Sequence, residues 1–194
     1  MLKCDIRKFF ASIDQPILLN ILAKHLSDQE ILKLLQEIIF SFHSVNQVEI
    51  GLPLGNPTSQ LLVNIYLNEF DQFVKHELRV KHYLRYADDF VIFSRDRNYL
   101  TKLIPKISDF LQIKLKLQLH SNKVSIKTLA SGVDLLGWVH FSDHRVLRRA
   151  TRKRMLRRIG QNPSEATINS YLGLLGWGNM AKLRDIITNS GKKA

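Results

Sequence analysis

The chain has 194 residues, 29 of them Lys or Arg and 17 Asp or Glu, which gives a formal net charge of +12 with the histidines neutral. At 45% hydrophobic and 24% charged, with nine Gly and five Pro, it has the make-up of one globular domain or two small ones, and a collagen-like, low-complexity or disordered chain is excluded. A single cysteine, Cys4, rules out an internal disulfide framework and a Cys-rich zinc module and points to a reducing, cytoplasmic setting; no apolar run approaches the ~20 residues of a membrane span, so no membrane partner is expected.

In chain order, LKCDI (Leu2 to Ile6) reads as the end of a strand. Asp14 is a helix N-cap with Pro16 in the first turn, and the helix runs to about Leu26. Ser27 and Glu30 stand at capping-box spacing and open a second helix to about Phe40, with Ile31, Leu34, Leu35 and Ile38 on one face. Val45 to Ile50 reads as a short strand. GLPLGNPTS, with two Gly and two Pro, makes a constrained turn before a long helix from about Ser59 to Val80, along which Leu62, Tyr66, Phe70, Val74 and Leu78 share a face.

Two apolar runs, HYLRY and FVIFS, are separated by Ala87, Asp88 and Asp89, the pattern of a tight hairpin. Helical spacing resumes from Asn98 to Leu111, with a kink expected at Pro105. The period then changes to two over Ile113, Leu115, Leu117 and Leu119, and again at Val124 and Ile126. GVDLLGWVHF reads as a further strand or hairpin. The basic segment from Arg145 reads as helical, with Met155, Leu156 and Ile159 as its apolar stripe, and two short helices broken at Gly176 to Asn179 complete the chain. The class is α+β, an antiparallel sheet with helices on one face followed by a helical tail.

Charge divides at the same place. Residues 145–194 carry 12 Lys or Arg and two acids, a net +10, whereas residues 1–144 carry 17 basic and 15 acidic side chains, a net +2. Within RVLRRATRKRMLRR arginine far outnumbers lysine, and its planar fork suits bidentate contacts to phosphate. Nucleic-acid binding through Arg148, Arg149, Arg152, Arg154, Arg157 and Arg158 is therefore expected ahead of a merely solvated helix face.

Adjacent aspartates are as a rule ordinary turn residues, but Asp88 and Asp89 occupy a turn where Gly or Asn would be the easier choice. Asp5 closes a strand that can lie beside that hairpin. Carboxylates converging in this way repel one another unless cations neutralise them, and such oxygen ligands suit magnesium. A two-metal phosphoryl-transfer site follows as the expectation. The seven histidines form no convincing ligand set; His140 and His144 read as surface or nucleic-acid-contacting residues.

LKCDIRKFFASID, GLPLGNPTSQLLVNIYLNEFD, YADDF, LHSNKV and LLGWVHF resemble, in order, successive motifs of reverse transcriptases. The resemblance covers nearly the whole chain and implies a polymerase palm over residues 1–143 and a basic helical thumb over 144–194. It implies two Mg2+ ions, with Mn2+ as a substitute, on Asp5, Asp88, Asp89 and the backbone carbonyl of Ile6. Phe10 resembles the steric gate against a ribose 2′-hydroxyl, its plainer reading being a core aromatic, which Phe9 fits better. Lys123 resembles the lysine that protonates pyrophosphate or contacts the phosphates. Leu135, Leu136, Gly137 and Trp138 resemble the primer grip, although periodicity alone makes them core. The implied partners are an RNA template, a DNA or RNA primer and dNTPs.

The loop that would meet the nucleotide departs from the common pattern of QG followed by SP. Leu54 stands in place of the glutamine before Gly55, and Gln60 in place of the proline after Ser59. This resembles the reverse transcriptases of diversity-generating retroelements, which make errors opposite adenine and work with a small basic accessory variability protein. Loss of an amide beside the nascent pair offers a physical route to such errors. The alternatives are a group II intron-like or retron-like enzyme and, in another class, an inactive nucleic-acid-binding remnant or subunit. The last has a motive: only four residues precede Asp5, and the fingers that family members carry before the palm are missing from this sequence, which predicts weak or absent activity in isolation.

Overall fold

The computed structural model describes residues 1–42, 49–161 and 164–191. They form two compact units, residues 1–126 and 127–194.

The first unit opens with strand β1 (Leu2–Asp5), followed by helices α1 (Gln15–His25) and α2 (Gln29–Phe40). Asp14 caps α1 by accepting from Ile17 N–H at 2.9 Å, as the sequence predicts. The cap of α2 is Asp28, accepting from Glu30 and Ile31 N–H, and not Ser27; the carboxylate one residue later sits at the true helix start and is the stronger acceptor there. Of the strand expected at Val45 to Ile50, residues 45–48 lie outside the described residues, while Ile50 forms an antiparallel bridge to Asp14.

Helix α3 (Pro57–Gln72) continues through a single π turn at Phe73–Glu77, and Arg79, at φ 52°, turns the chain away. Strands β2 (Tyr83–Tyr86) and β3 (Asp89–Ile92) form the expected hairpin. Helix α4 (Arg97–Leu115) runs through Pro105 and reaches Leu115, so Ile113 and Leu115 are helical and not part of an alternating strand. Four-residue spacing decides it: Leu103, Ile107, Leu111 and Leu115 are all buried, whereas Ile113 is exposed. Lys116, in the left-handed region, ends the helix.

With the short strand β4 (Ser125–Ile126) the first sheet has the order β2-β3-β1-β4, antiparallel throughout. Its core includes Phe70 of α3 edge-on to Phe90 of β3, centroids 5.0 Å apart, and Tyr66, whose hydroxyl donates to the Leu115 carbonyl at 2.7 Å. Leu2 and Cys4 are wholly buried, as befits β1, which lies inside the sheet between β3 and β4.

The second unit holds an antiparallel sheet, β5 (Val133–Leu135), β6 (Trp138–His140) and β7 (Arg145–Leu147), then helices α5 (Arg149–Gln161), α6 (Glu165–Leu175) and α7 (Ala181–Gly191). Strand β7 replaces the expected helix start, because Leu147 and Arg145 pair in register with Trp138 and His140. Trp138 and Leu147 share a core with Met155, Ile159, Leu175 and Ile187, so this sheet belongs with the helices that follow it. The compact units thus divide after Ile126, ahead of the change in charge near residue 144. Leu156 is exposed and lies outside the buried stripe of α5.

Candidate functional site

Three aspartates meet at one end of the first sheet. Asp5 is the last residue of β1 and Asp89 the first of β3, and the two are directly opposite in the antiparallel register. Asp88 precedes β3 in the hairpin turn, where Ala87 takes φ 50° and the Asp88 carbonyl accepts from Ile6 N–H at 3.2 Å. The turn is braced from the helix behind it. Arg85 donates from Nε and Nη2 to both Asp71 oxygens, at 2.8 and 2.6 Å, and from Nη1 to the Ala87 carbonyl and to Asn64 Oδ1, each at 3.2 Å. Tyr83 adds a hydrogen bond to Asp71 Oδ1 at 2.7 Å.

On the other flank, Arg7 N–H donates to the Gln118 carbonyl and His120 N–H to the Asp5 carbonyl, both at 2.8 Å. This stitching brings Lys123 to Asp5, where Nζ donates to Oδ2 at 2.7 Å. Lys3 Nζ lies 3.5 Å from Asp89 Oδ1. Asp5 is only 6% exposed, and its Oδ1 is buried without a hydrogen-bond partner. Burial, joined by the neighbouring carboxylates, raises the pKa of Asp88 above its ordinary value. Asp89 is raised as well, burial outweighing the opposing charge of Lys3. The hydrogen bond to Asp5 raises Lys123 and holds it protonated.

Among the described residues no three His, Cys, Asp or Glu side chains are arranged as a metal cage. Ammonium groups stand on two of the carboxylates, Lys123 on Asp5 and Lys3 on Asp89. The donor set still fits a hard divalent cation: three clustered carboxyl groups, one of them with a buried oxygen that has no hydrogen-bond partner.

The other residues singled out in the sequence fall into two groups. Phe9 is buried, and Phe10 is half-buried, edge-on to Phe9 at 5.6 Å. Leu54 is 79% exposed and Gln60 is exposed, but Ser59 between them is buried, and α3 starts at Pro57, ahead of Ser59, with Asn56 as its cap through Thr58 N–H. Gly55 takes φ 83° with open space around it. In the second unit, Leu136 and Gly137 form a two-residue turn with both φ values positive, flanked by buried Leu135 and Trp138. The Gly137 carbonyl accepts from Arg148 N–H at 3.0 Å, which ties the turn to the start of α5. Arg148, Arg149, Arg152, Arg154, Arg157 and Arg158 are all exposed.

Sequence reasoning missed Lys3, Asn64, Asp71 and Arg85. A signal existed: Tyr83 and Arg85 share one face of β2, and Asn64 and Asp71, seven apart, share one face of α3.

Residues 1–140 match the family described as reverse transcriptase (RNA-dependent DNA polymerase), and the chain belongs to that family. It is 26% identical to Protein YkfC of Escherichia coli K12 over 202 residues, covering 85% of this chain and 51% of that protein. The chain thus spans about half the length of this relative. Telomerase from Candida albicans, solved with a fragment of telomeric RNA, superposes with a TM-score of 0.56 at 14% identity over 86% of this chain and 36% of its own. Telomerase from Candida tropicalis, likewise in complex with such a fragment, gives 0.55 at 15% identity over 98% and 37%. At these identities the likeness establishes the polymerase fold.

Proposed function

We propose that this chain carries the catalytic acids and the primer-holding surface of an RNA-directed DNA polymerase, joining dNTPs to a DNA or RNA primer on an RNA template. The observation that carries it is the register pairing of Asp5 with Asp89 beside Asp88, with Asp5 Oδ1 buried and unpartnered. Asp5, Asp88, Asp89 and the Ile6 carbonyl would hold two Mg2+ ions, or Mn2+ in their place, which when bound supply Lewis-acid stabilisation of the attacking and leaving oxygens.

The chain's own groups do the rest. Lys123, held protonated at Asp5, supplies positive charge and a proton for the departing pyrophosphate. Arg85 fixes the turn that presents Asp88 and Asp89. Phe10 restricts the sugar 2′-position, the Leu135–Trp138 turn holds the primer end, and the α5 arginines take backbone phosphates. In this reading residues 1–126 are the palm, and the helices of the second unit are the thumb.

The exposed Leu54 and Gln60 flanking Gly55 support the retroelement variant of this activity, with errors opposite adenine and a basic accessory partner. Primer extension on a defined RNA tests both levels. Synthesis that falls roughly 100-fold or more on Asp88→Ala supports the polymerase, and errors concentrated at template adenines, reduced by Leu54→Gln with Gln60→Pro, support the variant. The ammonium groups on Asp5 and Asp89 favour a second reading, a nucleic-acid-binding subunit that is silent by itself. RNA binding without synthesis in either ion would establish it.

A further inference from the structure

Of the two tryptophans, Trp138 is 9% exposed and Trp177 is 70% exposed. An indole left in water forgoes a large hydrophobic gain, so its placement calls for a reason. A loose loop is not that reason. The turn between α6 and α7 is pinned by Trp177 N–H on the Leu174 carbonyl at 3.2 Å and Gly178 N–H on the Leu175 carbonyl at 3.3 Å. Arg145 Nε donates to the Trp177 carbonyl, and Asn179 N–H returns to the Arg145 carbonyl at 2.9 Å. The Arg145 guanidinium lies over the Trp138 ring, 5.3 Å from its centroid. Gly178 presses on the same ring, where a Cβ would fall 2.2 Å from Trp138 Cζ3, so no larger residue fits without moving the indole. The buried tryptophan holds the arginine, and the arginine holds the backbone of the exposed tryptophan.

The same turn, through Asn179 and Met180, walls a groove of about 570 Å³ on which Arg152 and Lys182 stand. An exposed indole on a pinned turn, two residues along the chain from a groove that carries two cations, in the part of the chain that carries a net +10, suits a ligand with a flat π surface and phosphates along the same strand.

We propose that Trp177 is a stacking platform for one unpaired nucleobase, whose flanking phosphates are taken by Arg152 and Lys182. This rests on the reading that the second unit binds nucleic acid, and it adds that the unit recognises a single-stranded nucleotide as well as a charged backbone. An acidic peptide would satisfy the cations but offers no comparable face for the indole.

The two tryptophans make the test direct, since Trp138 serves as an internal reference. The full chain is titrated by fluorescence with a single-stranded oligoribonucleotide, the same strand with abasic positions, a blunt RNA duplex and a poly-glutamate peptide. Single-stranded RNA is expected to quench the emission, while the abasic strand and the duplex bind with little quenching. Trp177→Ala should weaken single-strand binding roughly 5- to 150-fold, with the duplex affinity and salt slope unchanged, and Trp177→Phe should retain most of the affinity. Unchanged circular dichroism and Trp138 emission show that the variants are folded. Salt-dependent RNA binding that Trp177→Ala leaves untouched would overturn the platform alone. Tighter binding to poly-glutamate than to RNA, or no RNA binding at all, would overturn the nucleic-acid reading and the platform with it.

Discussion

Lys123 Nζ donates to Asp5 Oδ2 at 2.7 Å, joining two residues that lie 118 positions apart. The Asp5 side chain is 8% exposed and that of Lys123 53%, so the pair is a buried carboxylate held by a partly solvated cation. Lys123→Ala would leave Oδ2, like the buried Oδ1, without a hydrogen-bond partner in the protein. It should destabilise the fold by about 1–3 kcal/mol, the wetter partner keeping the loss below that of a fully buried pair. Thermal melts are expected to show a fall of roughly 2–4 °C per kcal/mol, and added Mg2+ should restore more of it in the variant than it adds to the wild type. Equal melting points would mean that water already satisfies Asp5.

The brace behind the hairpin makes a second prediction. The Arg85 side chain is only 10% exposed, against 27% for its partner Asp71. Asp71→Ala strands that guanidinium and is expected to cost about 3 kcal/mol, read as a lower urea midpoint. Asp71→Asn should cost less. Tyr83→Phe removes one neutral donor and should cost about 1 kcal/mol. Arg85→Lys keeps the charge but loses the fork, so it should lose stability too and loosen the turn that carries Asp88 and Asp89.

The elements written in local pattern were legible. The cap at Asp14 and the hairpin around Ala87 to Asp89 are each set by residues within a few positions of one another, and GVDLLGWVHF takes the hairpin of its two expected forms, although Leu136, core by periodicity, is exposed in the turn. The placement of Asp5 beside the hairpin that carries Asp88 and Asp89 was legible as well. What stayed hidden was decided by distant partners. Strand β7 exists because Leu147 meets Trp138 across a sheet, and the basic residues around it read as helix until that partner is known. The last turn of α4 won over an equally good alternation because Leu115 finds the core and its carbonyl finds Tyr66. No local pattern marks Lys3, and only the pairing of β1, β2 and β3 with α3 behind them brings Lys3 to Asp89 and Arg85 to Asp71.

Leu136 places an aliphatic side chain at a strained, 52% exposed position, with φ 53° before Gly137 at φ 83°. Such a turn favours Asn-Gly, because asparagine tolerates the left-handed region far better than leucine. Leu136→Asn should therefore raise stability by about 1 kcal/mol. If Leu136 touches the primer end, the same substitution should weaken extension from a recessed primer. A calorimetric scan beside a primer-extension assay would show the two effects moving in opposite directions.

Cys4 lies wholly buried in β1, and burial pushes its thiol up from an ordinary value of 9.0 to about 12. In the unfolded chain the thiol ionises first, so between those two values the unfolded state binds fewer protons than the folded one. The folded state keeps its full stability below about pH 9 and loses it progressively as pH rises toward 12. At neutral pH the thiol should resist alkylation in the native protein and react readily in denaturant. Cys4→Ala should flatten the alkaline limb of the stability curve, measured by urea unfolding at a series of pH values.

Arg152, Arg154 and Arg157 stand exposed on α5, while Met155 and Ile159 face inward. Replacing all three with Ala removes charge without touching the buried face, so the unit should keep its helix content and melting point. If each arginine neutralises one phosphate, the slope of log K against log salt should become shallower by roughly 0.7 to 0.9 for every arginine replaced. Affinity at low salt should fall together for single strands and duplexes, because a backbone phosphate carries no base identity. That pattern separates these residues from Trp177, whose removal should act on single strands and leave the slope alone. Filter binding across a salt series distinguishes them: a variant without the three arginines whose affinity and slope match the wild type would move the nucleic-acid surface off α5.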